Sequence, residues 1–275
     1  MNPKLLLDDH GIAPKKSLGQ NFLHDPNTLD KIVAAADLHP SDTVLEIGPG
    51  TGAMTTRLAR AAGRVIAVEI DSRLEPVLWQ VLAAERLTNV QILIADILQV
   101  DVPNLMGDEP FVVVANLPYY ITSAILRHLL EAPRRPRRLV LMVQLEVAER
   151  LTATPGDMSL LAVSAQFYAR PQLVGRLKPT VFWPRPDVDS AVVRLDTYDA
   201  PPVDVPSTEI FFRVVRAGFA QKRKQLKNAF AEGVGLRHTD AAVMLELAAI
   251  DPKRRAETLS LEEWAALARA YVTLR

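Results

Sequence analysis

The sequence predicts an α/β fold, with a doubly wound and mostly parallel sheet followed by a small C-terminal α-helical domain. Three observations predict it. Between about residues 40 and 145, short apolar runs alternate with helix-like stretches, a pattern typical of parallel strands buried on both faces. The proline-rich stretch 198–206 has the composition of a linker. Beyond it, the apolar residues change to helical spacing.

The elements follow in order along the chain. The predicted strands are 43–47, 65–70, 90–95, 111–115 and 139–143, with two later β-like runs at 173–177 and 191–195. The predicted helices between them are 54–62, 73–86 and 123–131. The alternation of strand and helix indicates a doubly wound sheet, in which each connection covers one face.

The C-terminal part has the pattern of three helices. Residues 209–230 carry one apolar stripe, which predicts a single helix, and residues 239–250 form a second. Ser260 and Glu263 have capping-box spacing and open a third helix that runs to about residue 272. The expected domains are therefore residues 1–198 and residues 207–275.

Composition narrows the function classes. The 275 residues contain 32 Lys plus Arg and 32 Asp plus Glu, so an argument for nucleic-acid binding must come from local clusters. Cysteine is absent, which excludes disulfides, cysteine–zinc sites and a thiol nucleophile. No apolar stretch reaches the roughly 18 residues of a spanning helix, and the first nine residues are too short for a signal peptide. We expect a cytoplasmic protein with no membrane partner. The five histidines lack metal-ligand spacing, so we expect no metal.

A glycine loop follows the first predicted strand. Gly48, Gly50 and Gly52 let the backbone turn tightly against a ligand, and the helix that follows offers free amides. The spacing G-x-G-x-G differs from the dinucleotide fingerprint G-x-G-x-x-G, which disfavours a nicotinamide dehydrogenase. Glu46, two residues before the loop, instead suits the cationic ammonium group of S-adenosylmethionine. Residues of this kind also occur in ordinary strand-to-helix turns.

Acidic residues end the second and third predicted strands. Glu69 is placed to accept hydrogen bonds from the ribose hydroxyls of an adenosine-containing cofactor, and Asp71 is the less favoured candidate. Asp96 either accepts from the adenine amino group or caps the next helix, and the spacing alone does not separate these two roles.

The fourth predicted strand runs into Asn116, Leu117, Pro118 and Tyr119, a sequence that resembles the target-nitrogen motif of adenine-N6 methyltransferases. The Asn116 oxygen and the Leu117 carbonyl would accept the two N–H bonds of the amine, which favours a pyramidal nitrogen. Tyr119 would stack on the extruded base, at about 1–3 kcal/mol. The alternative is a proline turn with surface tyrosines.

The resemblance extends over nearly the whole chain. The segments 15–23, 44–52, 68–71, 95–96, 116–122, 182–186, 188–191 and 221–228 match, in order, the small-subunit ribosomal RNA adenine dimethyltransferase family, the KsgA/RsmA type. This resemblance implies a Rossmann-like, S-adenosylmethionine-dependent methyltransferase sheet. It implies cofactor contacts at Asn21, Leu23, Ile70, Ile97 and Asn116, besides those named above. It also implies that Phe182 lies against the other face of the target base, although a core phenylalanine has the same pattern.

Two stretches depart from the family pattern. Leu145 stands where relatives commonly have Lys, and residues 158–163 replace a stretch that commonly contains Arg. These changes remove a Lys and an Arg expected to contact RNA near the substrate, and they leave the methyl-transfer residues intact.

Basic residues cluster locally. The clusters favoured for phosphate contacts are Lys15 and Lys16, and the group Arg216, Lys222, Arg223, Lys224 and Lys227, expected on one helix. The run 134–138 has four arginines but is expected at the sheet end away from the glycine loop. Each run is also compatible with a solvated basic surface.

The expected function is dimethylation of N6 on two adjacent adenosines near the 3′ end of small-subunit (16S) ribosomal RNA, in ribosome biogenesis. The resemblance supplies the substrate, and the expected partner is the small ribosomal subunit. Two alternatives stay open, a large-subunit enzyme of the erythromycin-resistance type and an assembly factor that binds immature subunits. We expect a monomer.

Overall fold

The computed structural model describes residues 2–221, 223–233 and 235–274. The chain divides into two compact units. The first unit runs to Ala148 and resumes at Arg170–Thr197, and the second contains Glu149–Ala169 and the chain from Tyr198 onward. None of the helices in these described ranges has the length and apolar character needed to cross a membrane.

The strands of the described residues form a large sheet and a small one. They are β1 (Phe22–Leu23), β2 (Thr43–Ile47), β3 (Arg64–Glu69), β4 (Val90–Ile94), β5 (Phe111–Asn116), β6 (Arg138–Gln144), β7 (Ala169–Leu177), β8 (Phe182–Trp183) and β9 (Ser190–Thr197). The large sheet has the order β4-β3-β2-β5-β6-β9-β7, and β1 pairs with β8 in the small one. Strands β2 to β6 are parallel, and β9 runs antiparallel to β6. The α/β fold class predicted from the sequence is confirmed.

The helices cover the sheet in the first unit and build the second. They are α1 (Pro3–Asp9), α2 (Pro26–Ala36), α3 (Thr55–Ala61), α4 (Glu75–Ala84), α5 (Val102–Met106), α6 (Thr122–Leu130), α7 (Leu145–Leu151), α8 (Leu160–Tyr168), α9 (Thr208–Phe219), α10 (Leu226–Gly233), α11 (His238–Leu247) and α12 (Leu261–Thr273). The predicted capping box is present, because Ser260 accepts from the Glu263 amide and the Glu263 side chain accepts from the Ser260 amide.

The strand order creates one topological switch point. Strand β2 lies between β3 and β5, so the chain fills the sheet on one side of β2 and then on the other. Thr43 pairs with both Arg64 and Phe111, and Ile47 with both Val68 and Ala115. The carboxyl ends of β2, β3 and β5 are therefore level. Open α/β sheets bind ligands in the crevice at such a point.

The second unit contains residues that the sequence pattern places before the linker. Phe167 stacks on Phe211 with ring centroids 4.5 Å apart, and Tyr168 stacks on Phe212 at 5.7 Å. These aromatic contacts hold Glu149–Ala169 against the C-terminal helices, across a wide gap in sequence. The expected division into residues 1–198 and 207–275 stays a prediction about functional domains, and the compact units differ from it in this segment.

The single helix expected over residues 209–230 is two helices. Helix α9 ends at Phe219 and α10 begins at Leu226. Gly233 on α10 lies close to Ala217 on α9, since an added Cβ at Gly233 would stand 2.8 Å from the Ala217 Cα. Helix α10 therefore packs back on α9, and the chain must turn between them. The spacing of seven between Phe219 and Leu226 keeps helical phase, so the apolar pattern conceals this turn.

Candidate active site at the carboxyl ends of the parallel strands

A cavity in the first unit lies at the switch point. We call it the main cavity. Its walls come from the segment before β1 and from the ends of β2, β3, β4 and β5. The lining includes Gln20, Asn21, Phe22, Gly48, Gly50, Glu69, Ile70, Asp96, Ile97, Asn116, Leu117, Pro118, Tyr119 and Tyr120. The structure thus brings together residues that are up to 100 positions apart in the sequence, as the parallel sheet predicts.

A second, inner cavity adjoins the main one. Phe22, Gly48, Gly50 and Asn116 line both cavities, and the inner cavity also includes Leu23 and Glu46. Glu46 is 2% exposed, and its Oε2 atom has no hydrogen-bond partner in the described structure. Burial raises the pKa of Glu46 to about 8, and the nearby carboxylate of Glu69 adds to the rise. A buried carboxylate oxygen without a hydrogen-bond partner is stabilised by a cation, which fits an ammonium group at this position.

Two glycines of the loop, Gly50 and Gly52, pack against different neighbours. Gly50 has φ +58°, and an added Cβ would stand 2.9 Å from the Phe22 ring, so this ring and the loop touch directly. Gly52 has φ +84° and faces α4, where an added Cβ would meet Leu78 and Val81 at 3.3 Å. Gly52 lines neither cavity. In the structure Gly52 packs against α4 beneath the loop, and its expected cofactor contact stays a prediction.

Glu69 links the glycine loop to the end of β3. Its Oε2 accepts from the Gly50 amide at 3.2 Å, and its Oε1 accepts from the Asp71 amide at 2.9 Å. Burial raises the pKa of Glu69, against these two amide hydrogen bonds. Each carboxylate oxygen retains acceptor capacity beyond the amide that it binds. Glu69 is therefore placed to accept hydroxyl groups of a ligand in the main cavity.

Asp71 has a different role. Its carboxylate accepts from Arg73 at 2.6 Å and from Gln20 at 3.0 Å, and Lys15 lies 3.4 Å away. The Arg73 hydrogen bond holds the pKa of Asp71 well below its usual range. Because this carboxylate is occupied by protein groups, it fixes the chain segment that precedes β1.

The residues that follow β3 and β4 supply a further part of the wall of the main cavity. Ile70 is 50% exposed although apolar, and Ile97 is buried beside it. The Asp96 side chain accepts from the Leu98 amide at 3.0 Å and also lines the cavity. The two roles considered for Asp96 are therefore compatible, since a capping carboxylate keeps a second oxygen for a ligand.

The turn after β5 projects its side chains into the same cavity. The Asn116 Nδ2 donates to the Asn21 carbonyl at 2.8 Å, and the Leu117 amide donates to the Met142 carbonyl at 3.2 Å. In the part of the chain described here, no protein group donates to the Asn116 Oδ1. Pro118 has φ −57° and ψ +131°, and a 3-10 turn begins at Tyr119. The turn thus contributes an amide side chain and an aromatic ring to the lining of one cavity.

A third opening, which we call the aromatic cleft, shares Gly19, Gln20, Asn21 and Tyr119 with the main cavity. Its remaining lining is Pro14, Lys16, Gln144, Trp183, Pro184, Arg185, Pro186, Asp187 and Val188. Tyr119 therefore stands at the boundary between the two openings.

Phe182 is not at this boundary. It is 2% exposed and packs in the hydrophobic core with Leu23 and Val181. Its pairing with Leu23 in the β1–β8 ribbon turns Phe182 inward, and it lines none of the three openings. In the structure Phe182 is therefore a core residue, and its stacking on the target base stays a prediction. The neighbouring Trp183 lines the aromatic cleft instead, which the sequence pattern did not single out.

The basic residues separate into paired and unpaired groups. Lys15 lies beside Asp71, and Lys224 pairs with Glu232 at 2.5 Å. Lys16 lines the aromatic cleft. Arg216 lies on α9 and Lys227 on α10, with Arg223 and Lys224 in the turn between them, so they do not share one helix. Lys222 lies outside the described residues.

The arginine run 134–138 is bound into the first unit. Arg134 pairs with Asp108 at 2.5 Å, and Arg137 with Asp42 at 2.7 Å. Arg138 binds Asp196 at 2.6 Å and Asp37 at 3.1 Å. These pairs support a structural role for the run. No group of His, Asp or Glu side chains suited to a metal ion occurs in residues 2–221, 223–233 and 235–274.

Comparisons with known proteins identify the relatives of this chain. The family described as Ribosomal RNA adenine dimethylase matches residues 12–270. The chain is 48% identical over 276 residues to the Ribosomal RNA small subunit methyltransferase A of Pelotomaculum thermopropionicum, covering 96% of this chain and 93% of that relative. It is 46% identical over 275 residues to the protein of the same name from Moorella thermoacetica, with coverages of 96% and 94%.

Two solved structures share the fold. A dimethyladenosine transferase from Plasmodium falciparum superposes with a TM-score of 0.77 at 27% identity, covering 92% of this chain and 98% of that one. The 23S rRNA methyltransferase ErmE superposes with a TM-score of 0.74 at 30% identity, covering 91% and 99%. The family match spans both units and every segment that lines the main cavity. The chain is thus a member of the ribosomal RNA adenine dimethylase family.

Proposed function

We propose that this protein transfers methyl groups from S-adenosylmethionine to N6 of two adjacent adenosines near the 3′ end of small-subunit (16S) ribosomal RNA. The observation that carries the proposal is the position of Asn116. Its amide nitrogen is committed to the Asn21 carbonyl, so its oxygen is the group left to accept from an amine at the main cavity.

The residues present fit the proposed cofactor. The unpartnered Oε2 of buried Glu46 suits its ammonium group, and Glu69 suits its ribose hydroxyls. Ile70 offers an exposed apolar surface for the adenine ring, beside Asp96 and Ile97. Asn21, Leu23, Gly48, Gly50 and Asn116 complete the walls. When bound, S-adenosylmethionine supplies a methyl group on an electrophilic sulfonium.

The protein's own groups then act on the target base. Such a base must leave its stack to reach the cavity, and Tyr119 offers it a ring at the entrance. The Asn116 oxygen and the Leu117 carbonyl accept the two N–H bonds of the amine, which concentrates its lone pair. Pro118 holds these two acceptors in one turn. The methyl-transfer step needs no general base, because the nitrogen loses its proton to solvent after it has gained the methyl group.

The relatives favour the small subunit as the source of the substrate. The TM-scores of 0.77 and 0.74 are too close to separate a dimethyladenosine transferase from a 23S rRNA enzyme. The relatives named for the small subunit have 48% and 46% identity over nearly the whole chain. Lys16, Arg216, Arg223 and Lys227 are the basic side chains that we propose for phosphate contacts. The monomeric state and the cytoplasmic location remain predictions.

The test uses labelled S-adenosylmethionine and ribosomal subunits that lack these methyl groups, small and large in parallel. We expect label in the small subunit with the parent chain and none with Asn116→Ala. Binding of Asn116→Ala to small subunits is measured in the same samples. It shows whether the variant fails to transfer methyl groups or fails to bind the subunit. Label confined to large subunits would assign the protein to the 23S type. An Asn116→Ala variant with full transfer would contradict the catalytic assignment.

A further inference from the structure

The segment Lys15–Leu23, which we call the strap, is anchored at both ends. The Gln20 Nε2 donates to Asp71 at 3.0 Å, while the Gln20 Oε1 accepts at 2.7 Å from the amide of Lys15, the first residue of the strap. At its end, β1 pairs with β8, and the Phe22 ring stacks on Trp183 with centroids 6.4 Å apart. Gln20 thus closes the strap on itself and also attaches it to Asp71.

Between these anchors, the strap presents a carbonyl to the catalytic turn. The Asn21 carbonyl accepts from the Asn116 Nδ2 at 2.8 Å. The Asn21 side chain folds back, and its Nδ2 donates to the Gly19 carbonyl at 3.2 Å. Gly19 has φ +61°, a left-handed conformation that reverses the chain there. The Asn21 carbonyl is therefore a fixed acceptor.

A fixed acceptor determines which way a primary amide points. The two ends of the Asn116 amide differ, since one end only donates hydrogen bonds and the other only accepts them. A flipped amide would set its Oδ1 against the Asn21 carbonyl oxygen, and two acceptors at 2.8 Å repel each other. The strap therefore holds the Asn116 oxygen on the side away from Asn21. Without this contact, both orientations of the amide become accessible.

We propose that the strap is a positioning element for methyl transfer, in which the Asn21 carbonyl orients the Asn116 amide so that its oxygen accepts from the target amine. This inference rests on the proposed function and deepens it. The strap thus fixes, through the Asn21 carbonyl, the side on which the acceptor for the amine lies. Asn21 and Gln20 are positioning residues that act through Asn116.

The test loosens the strap away from the reacting atoms. Gln20→Leu keeps the size of the side chain and removes both of its hydrogen bonds. The control is Ser17→Ala, in an exposed position of the same strap. With cofactor and RNA saturating, we expect the single-turnover rate of Gln20→Leu to fall about tenfold, the equivalent of one orienting hydrogen bond, and that of Ser17→Ala to stay unchanged. A Gln20→Leu variant that needs more cofactor but reaches the parent rate would limit the strap to cofactor binding and overturn the proposal.

A spectroscopic measurement reads the orientation itself. The side-chain amide signal of Asn116, in protein labelled with ¹⁵N-asparagine, is assigned by its absence in Asn116→Ala. We expect slow hydrogen exchange at this amide in the parent and in Ser17→Ala, and fast exchange in Gln20→Leu. Equal exchange in the three proteins would overturn the proposal. If the parent transfers no methyl group at all, the proposed function fails, and the exchange comparison still decides whether the strap orients Asn116.

Discussion

The hydroxyl of Tyr119 lies 2.7 Å from the Oγ of Ser190, the first residue of β9. Ser190 is 1% exposed, so this hydrogen bond attaches the turn after β5 to a buried point on a neighbouring part of the sheet. Burial raises the pKa of Tyr119, which keeps its hydroxyl protonated and able to donate. The ring is thereby held at the boundary of the main cavity and the aromatic cleft.

This relationship predicts different effects for two substitutions of Tyr119. Tyr119→Ala removes the ring, and we expect kcat/KM for RNA to fall roughly 5- to 150-fold, the equivalent of about 1–3 kcal/mol of stacking. Tyr119→Phe keeps the ring and loses only the hydrogen bond, and we expect it to match Ser190→Ala, each within about fivefold of the parent. Steady-state methyl transfer checks these values. Equal losses in Tyr119→Ala and Tyr119→Phe would argue against stacking.

Glu46 predicts a pH-dependent affinity for the cofactor. Its pKa of about 8 leaves the carboxyl mostly protonated at pH 7, whereas an ammonium partner favours the ionised form. Binding of S-adenosylmethionine should therefore release a proton, and affinity should rise with pH up to about 8. Calorimetry in buffers of different ionisation enthalpy measures this release. In Glu46→Gln, we expect the release to vanish and the affinity to drop, and a release that persisted would exclude Glu46 as its source.

The same group predicts a pH dependence of stability. The pKa of Glu46 is raised in the folded protein. Its contribution to the free energy of unfolding is therefore complete below the unfolded value near 4.5 and is lost as pH rises through about 8. The free energy of unfolding of the parent should therefore fall, relative to Glu46→Gln, between these two pH values. Denaturant unfolding of both proteins at pH 5 and pH 9 measures the difference. A constant difference across this range would contradict the raised pKa.

The position of Glu69 predicts that its substitution weakens binding of the cofactor and no other property. Glu69→Gln removes the charge that hydroxyl donors would meet, and we expect the Kd for S-adenosylmethionine to rise roughly 10- to 150-fold, the range of hydrogen bonds to charged groups. Glu85→Gln serves as the control, because Glu85 is an exposed partner of Arg60 on the same unit. Equilibrium binding gives both constants. The assignment of Glu69 would fail if the two variants bound the cofactor equally.

The basic side chains predict a salt-dependent affinity for RNA. We expect Lys16→Ala, Arg216→Ala and Lys227→Ala each to weaken RNA binding and to reduce the slope of log K against log salt by about one. Arg134→Ala is the matched control, since Arg134 already forms an ion pair with Asp108. Filter binding at several salt concentrations gives the slopes. If Arg134→Ala changed the slope as much as the others, the proposed phosphate contacts would have to include the run 134–138.

Arg138 predicts an effect on stability alone. Its side chain is 11% exposed and binds Asp196, Asp37 and the Ala36 carbonyl. Arg138→Ala removes this donor from Asp37 and the Ala36 carbonyl and leaves Asp196 with Arg194 alone. We expect unfolding to become easier by about 2–4 kcal/mol. Methyl transfer per folded molecule should stay at the parent level. A variant with parent stability and weakened RNA binding would instead place Arg138 on the RNA surface.

Two parts of this site could be located from short sequence patterns. The strand that ends at Glu69 and the turn from Asn116 to Tyr119 are short patterns whose position follows from the parallel sheet. The role of Gly52 is less visible, because a glycine that packs beneath a loop has the same spacing as one that touches a ligand. Only the structure shows that Leu78 and Val81 on α4 lie against Gly52.

Long-range contacts explain what the pattern missed. Phe182 and Trp183 alternate along a two-residue strand, so one faces inward and the other outward, and only the pairing of β8 with β1 determines which. The bond from Asn116 to Asn21 spans 95 positions and involves a backbone carbonyl, which no side-chain motif encodes. The association of Phe167 with Phe211 likewise depends on tertiary packing.

The most direct measurement of the central claim is a quantitative nucleoside analysis of small-subunit RNA after exhaustive methylation by the parent chain, with fragments mapped by mass. We expect two N6,N6-dimethyladenosines per subunit on adjacent positions near the 3′ end, and none after incubation with Asn116→Ala. Methyl groups on another base, on another atom of adenine, or on large-subunit RNA alone would contradict the account.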